Sequence, residues 1–246
     1  MDRYRSRPHT TVILAMSADG KIADARRSPA RFSSQRDRFH LEQQIAAADA
    51  TLFGAGTLRA YGTTLSVTND NLLYQRLQKA KKSQPIQILA SASANIDPQW
   101  RFFRQPVPRW LIASAAGAKF WQGRSEFERV IVGELGATTN SKLDRASRTT
   151  HYPTIDWTFA LEQLFSLGIK RLAVLGGGEL VAAMLAVDLI DEVWLTVCPL
   201  LLGGTNAPSP VAGMGFPENL APRLELLSAQ VEGQEVFLHY RLQRSQ

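Results

Sequence analysis

The chain has 246 residues, 45% of them hydrophobic and 20% charged, with a formal net charge of +6. That length suits one large α/β domain or two small ones, and the composition supports a packed core over global disorder. A lone cysteine, Cys198, excludes an internal disulfide framework, and no apolar run approaches the ~18–20 residues of a membrane span.

The basic charge has a form that narrows its use. It is spread over Arg26, Arg27, Arg31, Lys79, Lys81, Lys82, Arg145 and Arg148 without interleaved aromatics. A stacking groove for nucleic acid is therefore not expected, whereas a phosphorylated small molecule is. The four histidines have no metal-ligand spacing, so no metal is expected either. Residues 12–16 are too few for a signal-peptide core, and a cytoplasmic protein without a membrane partner is expected.

Residues 1–10, with Arg3, Arg5 and Arg7, read as a basic tail ahead of one domain over 11–246. The first strand, at 12–16, runs into Ser17, Asp19 and Lys21. Loops at the carboxyl ends of strands in open α/β sheets face the ligand crevice, so these side chains can meet a polar substrate; Asp19-Gly20 also favours a plain turn. Ser34 can cap a helix with Asp37 three residues on, followed by Leu41, Ile45 and Ala48 on one face. After a strand at 51–53 comes Gly54-Ala55-Gly56-Thr57, whose amides and hydroxyl can hold a phosphate or ribose, or simply turn the chain.

A polar helix is expected over 71–82, then strands at 86–90, 110–113 and 130–132. Residues 133–153 are Ser/Thr-rich and read as a loop. Thr154 can cap a helix bearing Trp157, Leu161 and Leu164, with Gly168 as its stop. The strand at 171–175 opens into Gly176-Gly177-Gly178-Glu179-Leu180 and a helix with Leu180, Met184 and Val187 on one face. Strand, glycine turn and helix start together suit a phosphate or pyrophosphate. The pattern falls short of G-x-G-x-x-G and of the Walker motif, and a tight turn alone also explains it. A strand at 193–197 leaves through Pro199 into Gly203-Gly204, and residues 224–242 alternate about Gly233 as an antiparallel hairpin. Apolar strands alternating with helices give a single α/β domain whose mixed sheet is mostly parallel.

Four segments occur in a telling order: AMSADGKIA (15–23), DATLFGAGT (49–57), LGGGEL (175–180) and IDEVWLTVCPLLLGG (190–204). The ordered set resembles the riboflavin-biosynthesis pyrimidine reductase family, the reductase domain of bifunctional deaminase-reductases and its stand-alone relatives. That resemblance implies a three-layer α/β/α fold similar to dihydrofolate reductase. No zinc-deaminase ligand set is present, so a free-standing reductase is expected. The resemblance further implies NADPH as hydride donor, 5-amino-6-(5-phosphoribosylamino)uracil as substrate, reduction of its ribosyl group to ribityl, and a homodimer.

Carried onto this chain, the family's cofactor residues fall at Gly54, Gly56 and Thr57, and at Gly176, Gly177, Gly178, Glu179 and Leu180. Ser91 and Ser114 are candidates for the adenosine end and its 2′-phosphate. Asp19 and Lys21 border the hydride-transfer point, Lys21 to stabilise developing negative charge and Asp19 to position hydroxyls or relay a proton. Ser33 and Ser34 match a pair near the substrate, and for Ser34 the helix cap competes.

The departures fall on the substrate side. An Asp-Asn-Pro or Asp-Asp-Pro element expected after Thr57 is Leu58 to Thr64 here; a phosphate-binding arginine falls at Ile45; a glutamate before the glycine turn is Leu175. Arg36 and Arg59 are candidate replacements for the phosphate contact. Two other readings stay open. One is a reductase of another heterocycle, a pterin included, with Asp37 as proton source as in dihydrofolate reductases. The other is a non-catalytic NADPH-binding protein.

Overall fold

The computed structural model describes residues 6–133 and 155–244. Seven parallel strands come first in the sequence: β1 (His9–Ser17), β2 (Ala50–Gly54), β3 (Ile86–Ala90), β4 (Arg109–Ala113), β5 (Arg129–Val132), β6 (Arg171–Val174) and β7 (Glu192–Cys198). The antiparallel pair β8 (Arg223–Glu232) and β9 (Glu235–Gln243) follows, giving a sheet of order β5-β4-β3-β2-β6-β1-β7-β9-β8. Helices α1 (Gln35–Ala47), α2 (Ala55–Tyr61), α3 (Asp70–Gln78), α4 (Ala115–Ala118), α5 (Trp157–Ser166) and α6 (Gly178–Leu185) cover its two faces. None of the described helices is long and apolar enough to cross a membrane.

The strands lack polar alternation because both faces are covered. In β2, Leu52 points into a cluster with Leu161, Leu164 and Met184 of α5 and α6, while its neighbour Phe53 points into one with Leu58, Phe102 and Trp121. Ile88 and Leu89 of β3 divide in the same way. On the second face, Ile45 of α1 meets Leu72 of α3. The expected three-layer α/β/α domain with its antiparallel C-terminal hairpin is the observed one.

Four expectations need correction. The helix expected after Thr154 is capped by Asp156, whose carboxylate accepts the Phe159 amide at 3.0 Å. Thr154 itself, with most of the expected loop at 133–153, lies outside the described residues. Helix α3 stops at Gln78, four residues short of the expected 82, with Ala80 at positive φ just beyond. Val187 lies past the end of α6 and is 48% exposed, whereas Leu180 and Met184 are buried. Helix α4, of 4 residues, was not expected as an element; such a length is too short to display a 3.6-residue period.

The tail boundary also moves. Strand β1 starts at His9, and Arg7 is buried, with both guanidinium nitrogens 2.8 Å from the Asp191 carboxylate at the foot of β7. Burial alone would raise the Asp191 pKa, yet Arg7, the Thr10 amide and Arg244 together hold it down at about 2. A carboxyl depressed on folding stabilises the protein above its unfolded pKa of about 3.9 and loses that contribution as pH falls toward the folded value. We expect about 2 kcal/mol of stability to disappear between about pH 4 and pH 2, and Asp191→Asn to flatten this acid limb. Urea midpoints measured across the range for both proteins check it.

Candidate active site

A cleft of about 2570 Å³ opens at the carboxyl ends of the central strands, between Leu14 and Ala15 of β1, Phe53 and Gly54 of β2, Ala90 of β3, and the turn after β6. One wall is backbone. Gly176 has φ +94°, a conformation an L side chain rarely adopts. The carbonyl of Gly176 accepts the Gly54 amide at 2.9 Å, which locks the turn after β6 to the end of β2. A methyl group on Gly177 would lie 3.6 Å from Thr57 Oγ1. One on Gly178 would lie 2.3 Å from the Ser209 carbonyl oxygen, so the chain passes through a gap that only glycine fits. Gly178 in turn opens α6, leaving free amides and the positive end of its dipole at the cleft.

The structure brings together all but one of the residues assigned to cofactor. Gly54, Gly56, Thr57, Ser91, Gly176, Gly177, Gly178, Glu179 and Leu180 line the cleft, joined by Asp156, Trp157 and Thr158 at the start of α5. Ser114 does not reach it. Its buried hydroxyl donates to the Ala92 carbonyl at 2.7 Å and accepts the Gly117 amide, capping α4.

The substrate-side assignments fare differently. Ser33 lines the cleft. Ser34 is the cap of α1: its hydroxyl accepts the Asp37 amide at 3.2 Å and donates to Glu235 Oε2 at 2.5 Å. Arg36 pairs with Glu232 on the hairpin, and Arg59 is exposed on α2, so neither lines the cleft. Asp19 and Lys21 are also absent from its lining. The Asp19 carboxylate accepts the Ser17 hydroxyl at 2.6 Å and the amides of Leu202 and Gly203 at 3.0 and 2.6 Å. The Ser17 hydroxyl is foremost among these in holding its pKa down to about 2. Lys21 contributes its amide, which donates to Ser17 Oγ at 2.9 Å. This latch carries the chain to Pro208, whose carbonyl accepts the Ile22 amide at 2.9 Å, and on to Ser209 against Gly178.

The side chains that do face the cleft there are Arg27, Arg31, Arg38, Asp37, Phe32 and Tyr61. Among the described residues no carboxylate pairs with Arg27, Arg31 or Arg38. Three uncompensated cations on one rim favour an anion. Tyr61 donates to the Ala30 carbonyl at 3.1 Å, fixing the segment that carries Arg27 and Arg31 against α2. A helical signal for the α1 contribution existed: Asp37, Arg38 and Leu41 share the cleft-facing side at i, i+1 and i+4. Arg27 and Arg31 had none, because an irregular segment has no period.

Behind this wall lies a buried polar cluster. Glu235, 3% exposed, accepts the Ser34 amide and hydroxyl and lies 3.5 Å from the Cys198 thiol. Burial, with the charges of Glu235 and Asp37, pushes that thiol up to about 12, so it is inert at neutral pH. Burial also lowers the His40 pKa, against the pull of Asp37.

The profile described as RibD C-terminal domain matches residues 8–238. A protein of Archaeoglobus fulgidus named 2,5-diamino-6-ribosylamino-4(3H)-pyrimidinone 5′-phosphate reductase is 26% identical over 85% of this chain and 89% of its own. One of the same name from Methanothermobacter thermautotrophicus is 27% identical over 95% and 98%. Among solved structures, a pyrimidine reductase-like protein from Corynebacterium diphtheriae superposes with a TM-score of 0.73 at 20% identity, over 98% of this chain and 94% of its own.

Proposed function

The chain belongs to the RibD C-terminal domain family, and from that membership we propose that it is an NADPH-dependent reductase of riboflavin biosynthesis. It reduces the ribosyl group of a 6-ribosylaminopyrimidine 5′-phosphate to a ribityl chain. The observation that carries this reading is one continuous cleft with two chemically distinct ends. A backbone cradle lies at the start of α6, and unpaired arginines lie beside α1.

The cradle fits a dinucleotide. Gly178 lets the 209–212 segment close against the start of α6, and the free amides there suit a pyrophosphate. Gly54, Gly56, Thr57, Gly176, Gly177, Gly178, Glu179 and Leu180 would hold the cofactor, with Ser91 toward its adenosine end. The nicotinamide, when bound, supplies the hydride. The protein's part is to orient and to exclude water. Arg27, Arg31 and Arg38 hold the substrate phosphate, and Ser33 and Tyr61 border the sugar. Asp19 and Lys21 act as positioning residues through the latch that seats residues 202–209 against the cradle.

The test is NADPH oxidation by the purified protein, read by absorbance, with 5-amino-6-(5-phosphoribosylamino)uracil and separately with 2,5-diamino-6-ribosylamino-4(3H)-pyrimidinone 5′-phosphate, beside NADH controls. We expect turnover that requires a pyrimidine and is faster with NADPH. Cofactor binding without turnover of either pyrimidine would overturn the enzyme reading in favour of a cofactor-binding relative.

A further inference from the structure

Helix α1 is anchored unevenly. Toward its end, Ile45 and Ala46 enter an apolar cluster with Val67 and Leu72. Its first turn, residues 35–38, buries no apolar side chain: Asp37 is buried there, and Gln35, Arg36 and Arg38 are exposed. Yet this turn presents Asp37 and Arg38 to the cleft, with Ser33 just ahead of it. Polar bonds do at this end what burial does at the other, and they come from the hairpin. Strand β9 starts at Glu235, and the next residue, Val236, pairs with Val197 of β7, which fixes the carboxylate to the sheet. Its two oxygens accept two donors of one residue, Oε1 the Ser34 amide at 2.8 Å and Oε2 the Ser34 hydroxyl at 2.5 Å. Ser34 Oγ in turn accepts the Asp37 amide at 3.2 Å.

Hydrogen bonds to an ionised acceptor are stronger than neutral ones, and a buried pair on one residue fixes direction as well as distance. The hairpin's second contact with α1, Glu232 with Arg36, is exposed, and an exposed ion pair contributes little. We propose that Glu235 is a positioning residue for the substrate: through Ser34 it sets the place of the first turn of α1, and with it Ser33 and Arg38 at the phosphate end of the cleft. Glu235 itself stands behind the wall and touches no reactant. The grip joins residues 201 positions apart, so the substrate end is completed only when the C-terminal hairpin is in place. This inference rests on the reductase reading, which makes that end the phosphate end, and names what holds it.

The experiment is steady-state kinetics with whichever of the two pyrimidine 5′-phosphates the native protein reduces faster, and with the same compound after removal of its phosphate. Glu235→Ala is expected to raise KM for the phosphorylated compound about 10-fold or more, with kcat within about threefold of native, because bonds to a charged group are lost away from the reacting atoms. The compound without phosphate should respond far less, and NADPH binding, followed by fluorescence, should stay as in the native protein. Glu235→Gln keeps an acceptor for the Ser34 amide and is expected to recover part of the loss. Ser34→Ala should raise KM to a similar extent and add little in the Glu235→Ala background, since both break one chain of bonds. Glu232→Ala, at the exposed contact, should leave KM near native. An unchanged KM in folded Glu235→Ala or Ser34→Ala overturns the inference and leaves the reductase reading intact. So does full additivity of the two substitutions, an equal rise of KM for both compounds, or a loss of NADPH binding in step with KM. No turnover by the native protein overturns the reductase reading, and this inference with it. Glu235→Gln and Ser34→Ala carry the answer if Glu235→Ala fails to fold.

Discussion

Gly178→Ala is expected to weaken cofactor binding by about 100-fold or more and to destabilise the fold by about 1–3 kcal/mol. The added methyl would sit 2.3 Å from the Ser209 carbonyl oxygen and 3.2 Å from the Ala212 amide nitrogen. Both are backbone atoms, so no rotamer change relieves the overlap. Either the 209–212 segment lifts away or the first turn of α6 tilts, and each takes the free amides out of register with an anion. Titration of NADPH fluorescence reads the first effect and thermal unfolding the second. Gly56→Ala is the control, because a methyl there meets nothing within 4 Å although Gly56 lines the same cleft. Its stability is expected to stay close to that of the native protein. A Gly178→Ala protein that binds NADPH as the native one does would remove the cradle from the cofactor site.

The second large effect is expected at the other end of the cleft. Removing both Arg31 and Arg38 by alanine should raise KM for the phosphorylated substrate by about 100-fold or more, given about 1.5–3 kcal/mol for each hydrogen bond between charged groups. The rise should shrink in high salt, since both side chains are exposed and screened. A substrate lacking the 5′-phosphate should respond far less, which separates loss of phosphate binding from general damage. Arg36→Ala and Arg59→Ala, on side chains outside the cleft, should leave KM near native. Steady-state kinetics on the three variants decides the matter. An unchanged KM in the Arg31/Arg38 double variant would place the phosphate elsewhere.

What the sequence disclosed and what it hid follow from how each part is made. The strands were legible because each is a short apolar run buried on both faces, as Ile86–Ala90 is between two helix layers. The hairpin was legible from alternation about Gly233. The glycine-lined end of the cleft was legible because it is built from neighbours in the chain: a strand end, a glycine turn and a helix start. The substrate end was not, because its members are selected by tertiary partners. Ser34 resembles a substrate residue by position, yet Glu235, 201 residues away, occupies its hydroxyl. Arg36 and Arg38, two residues apart on one helix, lie on opposite sides of it; the first meets the hairpin's Glu232 and the second lines the cleft. Asp19, set in a motif that suggested chemistry, was taken up by the Leu202 and Gly203 amides, a pairing that no local pattern announces.

The contact between Gly178 and the Ser209–Ala212 segment has a consequence for inheritance. One end of the cleft is made of main chain, with Gly176 held at positive φ and Gly178 closed in by backbone. The other is made of side chains on 27–38, a segment whose irregular part carries little of the hydrophobic core. Random substitution therefore falls on the two ends with very different survival. On the proposed function, descendants of such a scaffold keep the electron donor and exchange the acceptor. On the same reading, a lineage can accordingly move from one reducible metabolite to the next by replacing a few side chains on 27–38, without rebuilding the glycine-lined half.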